Sequence, residues 1–376
     1  VSIAPNSAST LIPAWKDQDE AFSSAFSVLR EAIAQRAFPA ACVAIAHRDH
    51  LVALKSFGHF TYDADSPAPS PASVFDLASL TKVVATTTMA AILYERGLLE
   101  LDATVAGTVP EFLADSCGEA DSRRRDVTFR MLLAHSSGLP AYEKLFLKTQ
   151  ARDELLRAAF TTSLSADPGT RAEYSDIGFI LLGAALERLA NESLDAFCQR
   201  EVFGPLAMSN TTFNPPVGAR EKIPPAADDR TFRHKIIQGE VQDENAFVLG
   251  GVAGHAGLFS TAEDLTRFAH ALLHGGRPIL RPETVALFTT RQAAPAGTSR
   301  ALGWDTPSAP SQSGKHFGPR SFGHLGYTGT SQWIDPERQL AIVLLTNRTW
   351  PDCANQAIKQ VRPRFHDAVV EALMLT

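Results

Sequence analysis

Apolar residues recur at two different periods along this chain, and the change of period organises it. Between Asp19 and Arg36, the residues Phe22, Phe26, Leu29 and Ile33 stand three or four apart, the spacing of one helix face. "PAACVAIAHRDHLVALKSFG" then places two apolar runs around His47-Arg48-Asp49-His50, which predicts a hairpin. A Pro/Ser/Ala loop, "DADSPAPSPAS" (63–73), leads into "FDLASLTKVVATTTMAAILYERG" (75–97), read as a helix closed by Gly97. From there to about residue 250 the signals are mostly helical. They include 128–135 behind a Thr128 cap, 175–190 and 193–203, with an irregular, proline-bearing segment at 211–245. The stretch 261–276 has Thr261 as N-cap with Asp264 three residues on, and 281–292 has Pro282 in its first turn. Strand signals return in "GTSQWID" and "QLAIVLLTN" around a Pro336-Glu337-Arg338 turn. A last helix, about 361–373, stacks Phe365, Val369 and Leu373.

Strands at both chain ends with helices between them predict an α/β fold with an inserted all-α domain, its antiparallel sheet flanked by helices. The expected division is 1–72 plus 256–376 for the α/β domain and 73–255 for the mainly helical one, with the active site between them. The length of 376 residues and an apolar share of 45% supply material for such a core. A net charge of -6, with acids and bases interspersed, argues against nucleic acid or an anionic membrane as partner. No apolar run is long enough to span a bilayer. Cys42, Cys117, Cys198 and Cys353 form no C-x-x-C pair; Cys42 and Cys198 read as core thiols. The histidines show no H-E-x-x-H and no zinc spacing, so no metal is expected. The chain starts at Val1 without Met, so its true start is expected to have been processed or trimmed; compartment and oligomeric state stay open.

One helix start carries chemistry. Ser79 and Lys82, three residues apart, share a face at the beginning of an otherwise apolar helix. A buried lysine is costly unless something uses or pairs it. A desolvated lysine with a lowered pKa can take the proton from a serine hydroxyl, which makes S-x-x-K an acylation device. Taken alone, that spacing arises by chance in many proteins. Two further segments add to it. Tyr174 and Ser175 lie on a loop entering a helix, where a phenol can pass a proton to a leaving group. His324 and Gly326 stand at a strand edge, where a glycine lets substrate approach the backbone.

Taken together, Ser79-Leu80-Thr81-Lys82, Tyr174-Ser175-Asp176 and His324-Leu325-Gly326 resemble, in order, the three motifs of the serine β-lactamase-like hydrolases. That family includes class C β-lactamases, penicillin-binding proteins, D-alanyl-D-alanine carboxypeptidases, family VIII-type esterases and D-aminopeptidases. "TFRMLLAHSSGLP", "PGTRAEYSD", "GGVAGHAGLFSTAEDLTRF" and "GYTGTSQWIDPERQLAIVLLTNR" match as well, and the resemblance runs over residues 20–372. It implies the β-lactamase/transpeptidase-like fold and catalysis through an acyl-enzyme without cofactor. Ser79 would be the nucleophile, Lys82 its base and Tyr174 the relay. The oxyanion hole would be the backbone N–H groups of Ser79 and Tyr327, and Asp176, His324, Leu325 and Gly326 would bind substrate.

Two departures bear on substrate. Asp176 stands where lactamases and transpeptidases carry Asn, and His324-Leu325-Gly326 stands where they carry Lys-Thr-Gly. Similar changes occur in the esterase-like and aminopeptidase-like branches and in muropeptide-processing amidases, which "DENAFVLGGVAGHAGLFST" resembles most. The expected substrates are small esters or amides, or peptidoglycan-derived fragments, with β-lactam hydrolysis weak at most. The leading reading is an esterase-like penicillin-binding-protein homologue; the rivals are a cell-wall muropeptide amidase or D-amino-acid peptidase of the same fold, a penicillin-fold sensor that acylates and stalls, and a metallohydrolase. His135-Ser136-Ser137-Gly138 reads as scaffold, and Trp304 and Trp333 as core residues. Asp243, Glu244 and His255, around a Gly-rich turn, fit either turn chemistry or a substrate-lining loop.

Overall fold

In the computed structural model, residues 10–115, 118 and 120–374 are described. The hairpin forms as β2 (Ala40–His47) and β3 (His50–Gly58), after a two-residue strand β1 (Ile12–Pro13). Near the other chain end lie β9 (Phe322–Leu325), β10 (Ser331–Asp335) and β11 (Leu340–Thr346). All six join one sheet in the order β1-β3-β2-β11-β10-β9, so the centre of the sheet is a pairing between the chain's two ends. That pairing is antiparallel, from Leu340 opposite His47 to Thr346 opposite Ala41.

Strand alternation sorts this sheet into two cores. Ala41, Val43, Ile45, Ile342 and Leu344 face the helices Ser23–Ala34 and Ile358–Met374 with Phe26, Leu29, Phe365 and Val369. Cys42, Ala44, Ala46, Val343 and Leu345 face the opposite side and join the large core of the helical segments. Both faces are covered, which is why β2 and β11 read as continuous apolar runs instead of alternating ones.

The helices departing from expectation are instructive. The 19–36 helix is broken at Phe22 into Gln18–Ala21 and Ser23–Ala34, with the Phe22 side chain buried. The 75–97 stretch is not a helix from its start. Phe75–Asp76 is a strand, β4, pairing with β8 (Leu258–Ser260), which also pairs with β5 (Thr212–Phe213). The chain then coils tightly through Ala78–Leu80, widens to π turns over Lys82–Thr87 and becomes α-helical at Thr88–Glu95, with Gly97 at φ 69° closing it. The irregular 211–245 segment contains, besides β5, the short pair β6 (Ala227–Asp229) and β7 (Lys235–Ile237). Thr128, Ser175 and Thr261 each cap a helix through their hydroxyls. Cys42 and Cys198 are buried, Cys353 is exposed and Cys117 lies outside the described residues. Among the described residues, no helix is long and apolar enough to cross a membrane.

Candidate active site

Ser79 is held on a strained turn. Ala78, a residue with a Cβ, sits at φ 47°, in the left-handed region that favours glycine. Its surroundings over-determine that conformation. The buried Asp76 carboxylate accepts the Ala78 N–H at 2.8 Å and the Gln242 N–H at 2.7 Å. Thr328 donates to the Asp76 carbonyl at 2.8 Å, Thr330 to the Leu77 carbonyl at 3.0 Å, and Thr81 to the Ala78 carbonyl at 2.7 Å. Burial raises the Asp76 pKa to about 6 despite its two N–H donors.

Beneath the turn Lys82 is fully buried. Its ammonium has three protons and three acceptors: Ser79 Oγ at 3.1 Å, Asp176 Oδ1 at 2.6 Å and the His255 carbonyl at 2.9 Å. Tyr174 donates its phenolic proton to Ser79 Oγ at 2.6 Å. Burial by itself would lower the Lys82 pKa, but the Asp176 carboxylate and the Tyr174 oxygen outweigh it and hold the pKa above its ordinary value. This corrects the expectation of a lysine with a lowered pKa: the helix start supplied the burial, and the counter-charge comes from Asp176, far along the chain. Burial and then the Asp176 charge push Tyr174 up to about 12, against the pull of Lys82. The resting site is thus an ammonium, a carboxylate and a neutral phenol around one hydroxyl.

Tyr174 is placed by a residue that looked like scaffold. The His135 carbonyl accepts the Glu173 N–H at 2.8 Å, and His135 Nδ1 accepts the Ser175 N–H at 3.1 Å. The His135 ring also lies 4.8 Å from the Tyr174 ring, centroid to centroid. It therefore grips the backbone on both sides of the phenol. Ser175 is the cap of the Asp176–Ala190 helix, accepting the Gly178 N–H at 2.9 Å.

The facing wall is β9, one of the two edge strands of the sheet, whose outer side carries an isolated bridge from Asp305 at Gly323. His324 is buried, and burial, then Lys82 and Arg300, hold its pKa well below the ordinary value, so the imidazole is neutral. Its Nδ1 lies 2.8 Å from the Leu325 carbonyl, which can only accept. Nδ1 therefore carries the proton and Nε2 presents a lone pair, with no hydrogen-bond partner among the described residues. Leu325 adds no polar side-chain atom. Gly326 is needed for packing: a Cβ there would meet Thr330 Oγ1 at 1.9 Å and the Leu77 carbonyl at 2.4 Å. Tyr327 is half exposed under the Arg348 guanidinium, 4.4 Å from its ring centre.

Ser79, Tyr174, Asp176, His324, Leu325, Gly326 and Tyr327 all line one cleft of about 750 Å³, with Lys82 buried behind Ser79. Asp243, Glu244 and His255 line it too. Asp243 caps a short helix through the Ala246 N–H at 2.7 Å and holds His255 Nε2 at 2.8 Å, which steadies the loop whose carbonyl receives Lys82. The cleft also contains Arg300, which no sequence pattern marked. Its guanidinium lies 5.6 Å from the Tyr174 ring centre, and its ion pair with Asp305 is long at 3.7 Å. Trp304 and Trp333 are buried in the two cores, away from this lining.

With that geometry in hand, the relatives are informative. A family model described as Beta-lactamase matches residues 26–362. The N-acetylmuramyl-L-alanine amidase of Bacillus subtilis (strain 168) is 31% identical over 346 residues, covering 83% of this chain and 77% of that protein. Among solved structures, EstCE1, described as a hydrolase with promiscuous acyltransferase activity, superposes with a TM-score of 0.75 at 22% identity, covering 94% of this chain and 99% of that one. A penicillin-binding protein homolog from Caulobacter crescentus gives 0.73 at 19% identity, covering 94% and 98%. At those identities the two structures speak to the fold, which is the β-lactamase/transpeptidase-like fold.

Proposed function

Because the chain belongs to the beta-lactamase family and is a serine hydrolase of that family, we propose that Ser79 is its acylated nucleophile and that its preferred substrates are esters or amides lacking a carboxylate beside the scissile bond. The observation that carries the first half is the convergence of Lys82 Nζ and Tyr174 OH on one oxygen, at 3.1 and 2.6 Å. When Lys82 loses a proton, two N–H groups still serve Asp176 and the His255 carbonyl, and the lone pair faces Ser79. As Ser79 Oγ bonds to the substrate carbonyl carbon, its proton passes to Lys82. The backbone N–H groups of Ser79 and Tyr327 would receive the oxyanion. Tyr174 gives its proton to the leaving oxygen or nitrogen and is restored from Lys82. Water then attacks the acyl-enzyme by the reverse relay.

The second half rests on β9. A carboxylate beside His324 Nε2 and Leu325 would meet a lone pair and a hydrocarbon, and its lost hydration would go uncompensated. A neutral ester or amide at the same place has no charge to desolvate. The test is a panel of a p-nitrophenyl short-chain ester, a penicillin, a D-Ala-D-Ala peptide and a muropeptide. Steady turnover of the ester with little β-lactam hydrolysis is expected. Faster hydrolysis of the penicillin than of the ester overturns the substrate reading, and a one-equivalent burst that stops indicates a sensor.

A second reading is favoured by Arg300 and by the amidase similarity: cleavage of an amide in a peptidoglycan-derived fragment. Arg300, Arg348 and Lys359 line the same cleft and can answer carboxylates remote from the scissile bond. Muropeptide turnover that exceeds ester turnover and falls in Arg300→Gln would establish it.

A further inference from the structure

Outside the cleft, three potential metal ligands from opposite parts of the chain meet. Asp49 occupies the tip of the β2–β3 hairpin, where Arg48 turns the chain at φ 56°. The tip is anchored on both sides: the Asp49 carbonyl accepts the Ile12 N–H at 2.7 Å, and the Arg48 N–H reaches the Gln339 carbonyl at 2.6 Å. His270 lies in the last turn of the Ala262–Leu273 helix and His274 caps its end. Four residues apart, they share one helix face, with ring centres 4.4 Å apart. None of the three lines the catalytic cleft.

The donor atoms are already close to a coordination geometry. Asp49 Oδ1 is 3.3 Å from His270 Nε2 and 3.0 Å from His274 Nε2, and one donor atom from each of the three residues lies within 4.8 Å of the others. Two donors at about 2.0–2.1 Å from a tetrahedral zinc stand about 3.3 Å apart, so both measured separations are near one edge of that tetrahedron. His274 Nε2 is also buried and makes no well-directed hydrogen bond, although it is 3.0 Å from the carboxylate. An atom that close yet misaligned for Asp49 fits a lone pair directed at a point between the ligands. We propose that Asp49, His270 and His274 form a divalent-metal site of zinc type, which ties the hairpin tip to the helix that packs on the sheet.

Two neutral imidazoles and a carboxylate are a donor set for zinc or cobalt. Asp49 is 48% exposed, so a water entering beside its carboxylate would complete a four-coordinate set. The first ligand stands 221 residues before the second, which is why the sequence alone led to no expectation of a metal.

The test uses chelator-dialysed full-length protein titrated with Zn²⁺, and with Co²⁺ as a spectroscopic stand-in. Micromolar Zn²⁺ should raise the unfolding temperature with one-to-one stoichiometry by calorimetry, and Co²⁺ should give the visible band of a four-coordinate site. Asp49→Asn and His274→Ala, both at partly exposed positions, should each weaken binding about tenfold or more and leave ester turnover at Ser79 unchanged. Absence of any Zn²⁺-dependent shift overturns the proposal. So does a shift that survives in both variants, which would place the metal elsewhere, for instance at Cys353 and surface histidines.

Discussion

The two walls of the cleft treat their polar atoms in opposite ways. On the nucleophile wall every proton of Lys82 has an acceptor and Ser79 Oγ is met by two donors. On the β9 wall His324 Nε2 has no partner among the described residues and Leu325 offers hydrocarbon. The first wall is fixed before substrate arrives, because chemistry needs its protons at set places. The second turns a buried neutral ring and hydrocarbon toward whatever the cleft receives. The first wall can stay fixed while the second is changed, which makes β9 the place where substrate preference would be set.

The comparison breaks most completely at Ser79. Ser79→Ala should lower turnover at least about 10³-fold with the unfolding temperature unchanged, and a fluorophosphonate should label Ser79 alone. Peptide mapping of the adduct to Ser136 or Ser137 would move the nucleophile elsewhere. Next come Lys82→Ala and Tyr174→Phe, each expected to cost about 10²–10⁴ in kcat. Near-wild-type activity of Lys82→Ala would make another group the base.

Asp176→Asn sharpens the comparison, because it removes charge and keeps an acceptor. Asp176 raises the Lys82 pKa, and with Lys82 acting as base in its free-amine form, as proposed, activity should rise with pH as Lys82 loses its proton. Without the carboxylate that rise should shift to lower pH by about one unit, read from a kcat profile. An unmoved profile means the limb belongs to another group.

On the other wall, His324→Lys with Leu325→Thr supplies a charge and a hydroxyl. The ratio of β-lactam to ester hydrolysis should rise about tenfold, the worth of one charge-assisted bond. An unchanged ratio would show that β9 does not set the preference. The smallest effect is expected at Asp76→Asn. An amide can accept one of the two N–H groups but not both, so stability should fall by about 1–2 kcal/mol by denaturant melting, with modest change in kcat. Asp76 also gives a pH signature. An acid whose pKa is raised on folding supports the folded state below its unfolded value of about 4 and loses that support as pH rises through about 6. The variant should lack this slope.

The parts of the site that could be read from sequence were local ones. Ser79 and Lys82 sit one helical turn apart, and Tyr174 opens a helix marked by the Ser175 cap. The hairpin and the C-terminal strands were visible because each is a bounded apolar run. What escaped depends on distant partners. The charge state of Lys82 is set by Asp176, ninety-four residues away. Asp76 and His135 act through backbone groups, which leave no residue pattern. β4, β5 and β8 are two or three residues long, too short to show a period, and Arg300 faces the cleft because of how its loop is tied by the Asp305 bridge to β9.

The seam between β2 and β11 has a consequence for the order of synthesis. The ribosome releases the β2–β3 hairpin well before β11, the strand that completes it and ends opposite Ala41. Until then the apolar edge of β2 has no mate, and closing the sheet requires joining ends separated by most of the polypeptide, a slow step. The nascent hairpin is a hydrophobic template for the wrong strand during that interval, so folding of this protein depends on how soon β11 follows and how well the edge is shielded meanwhile.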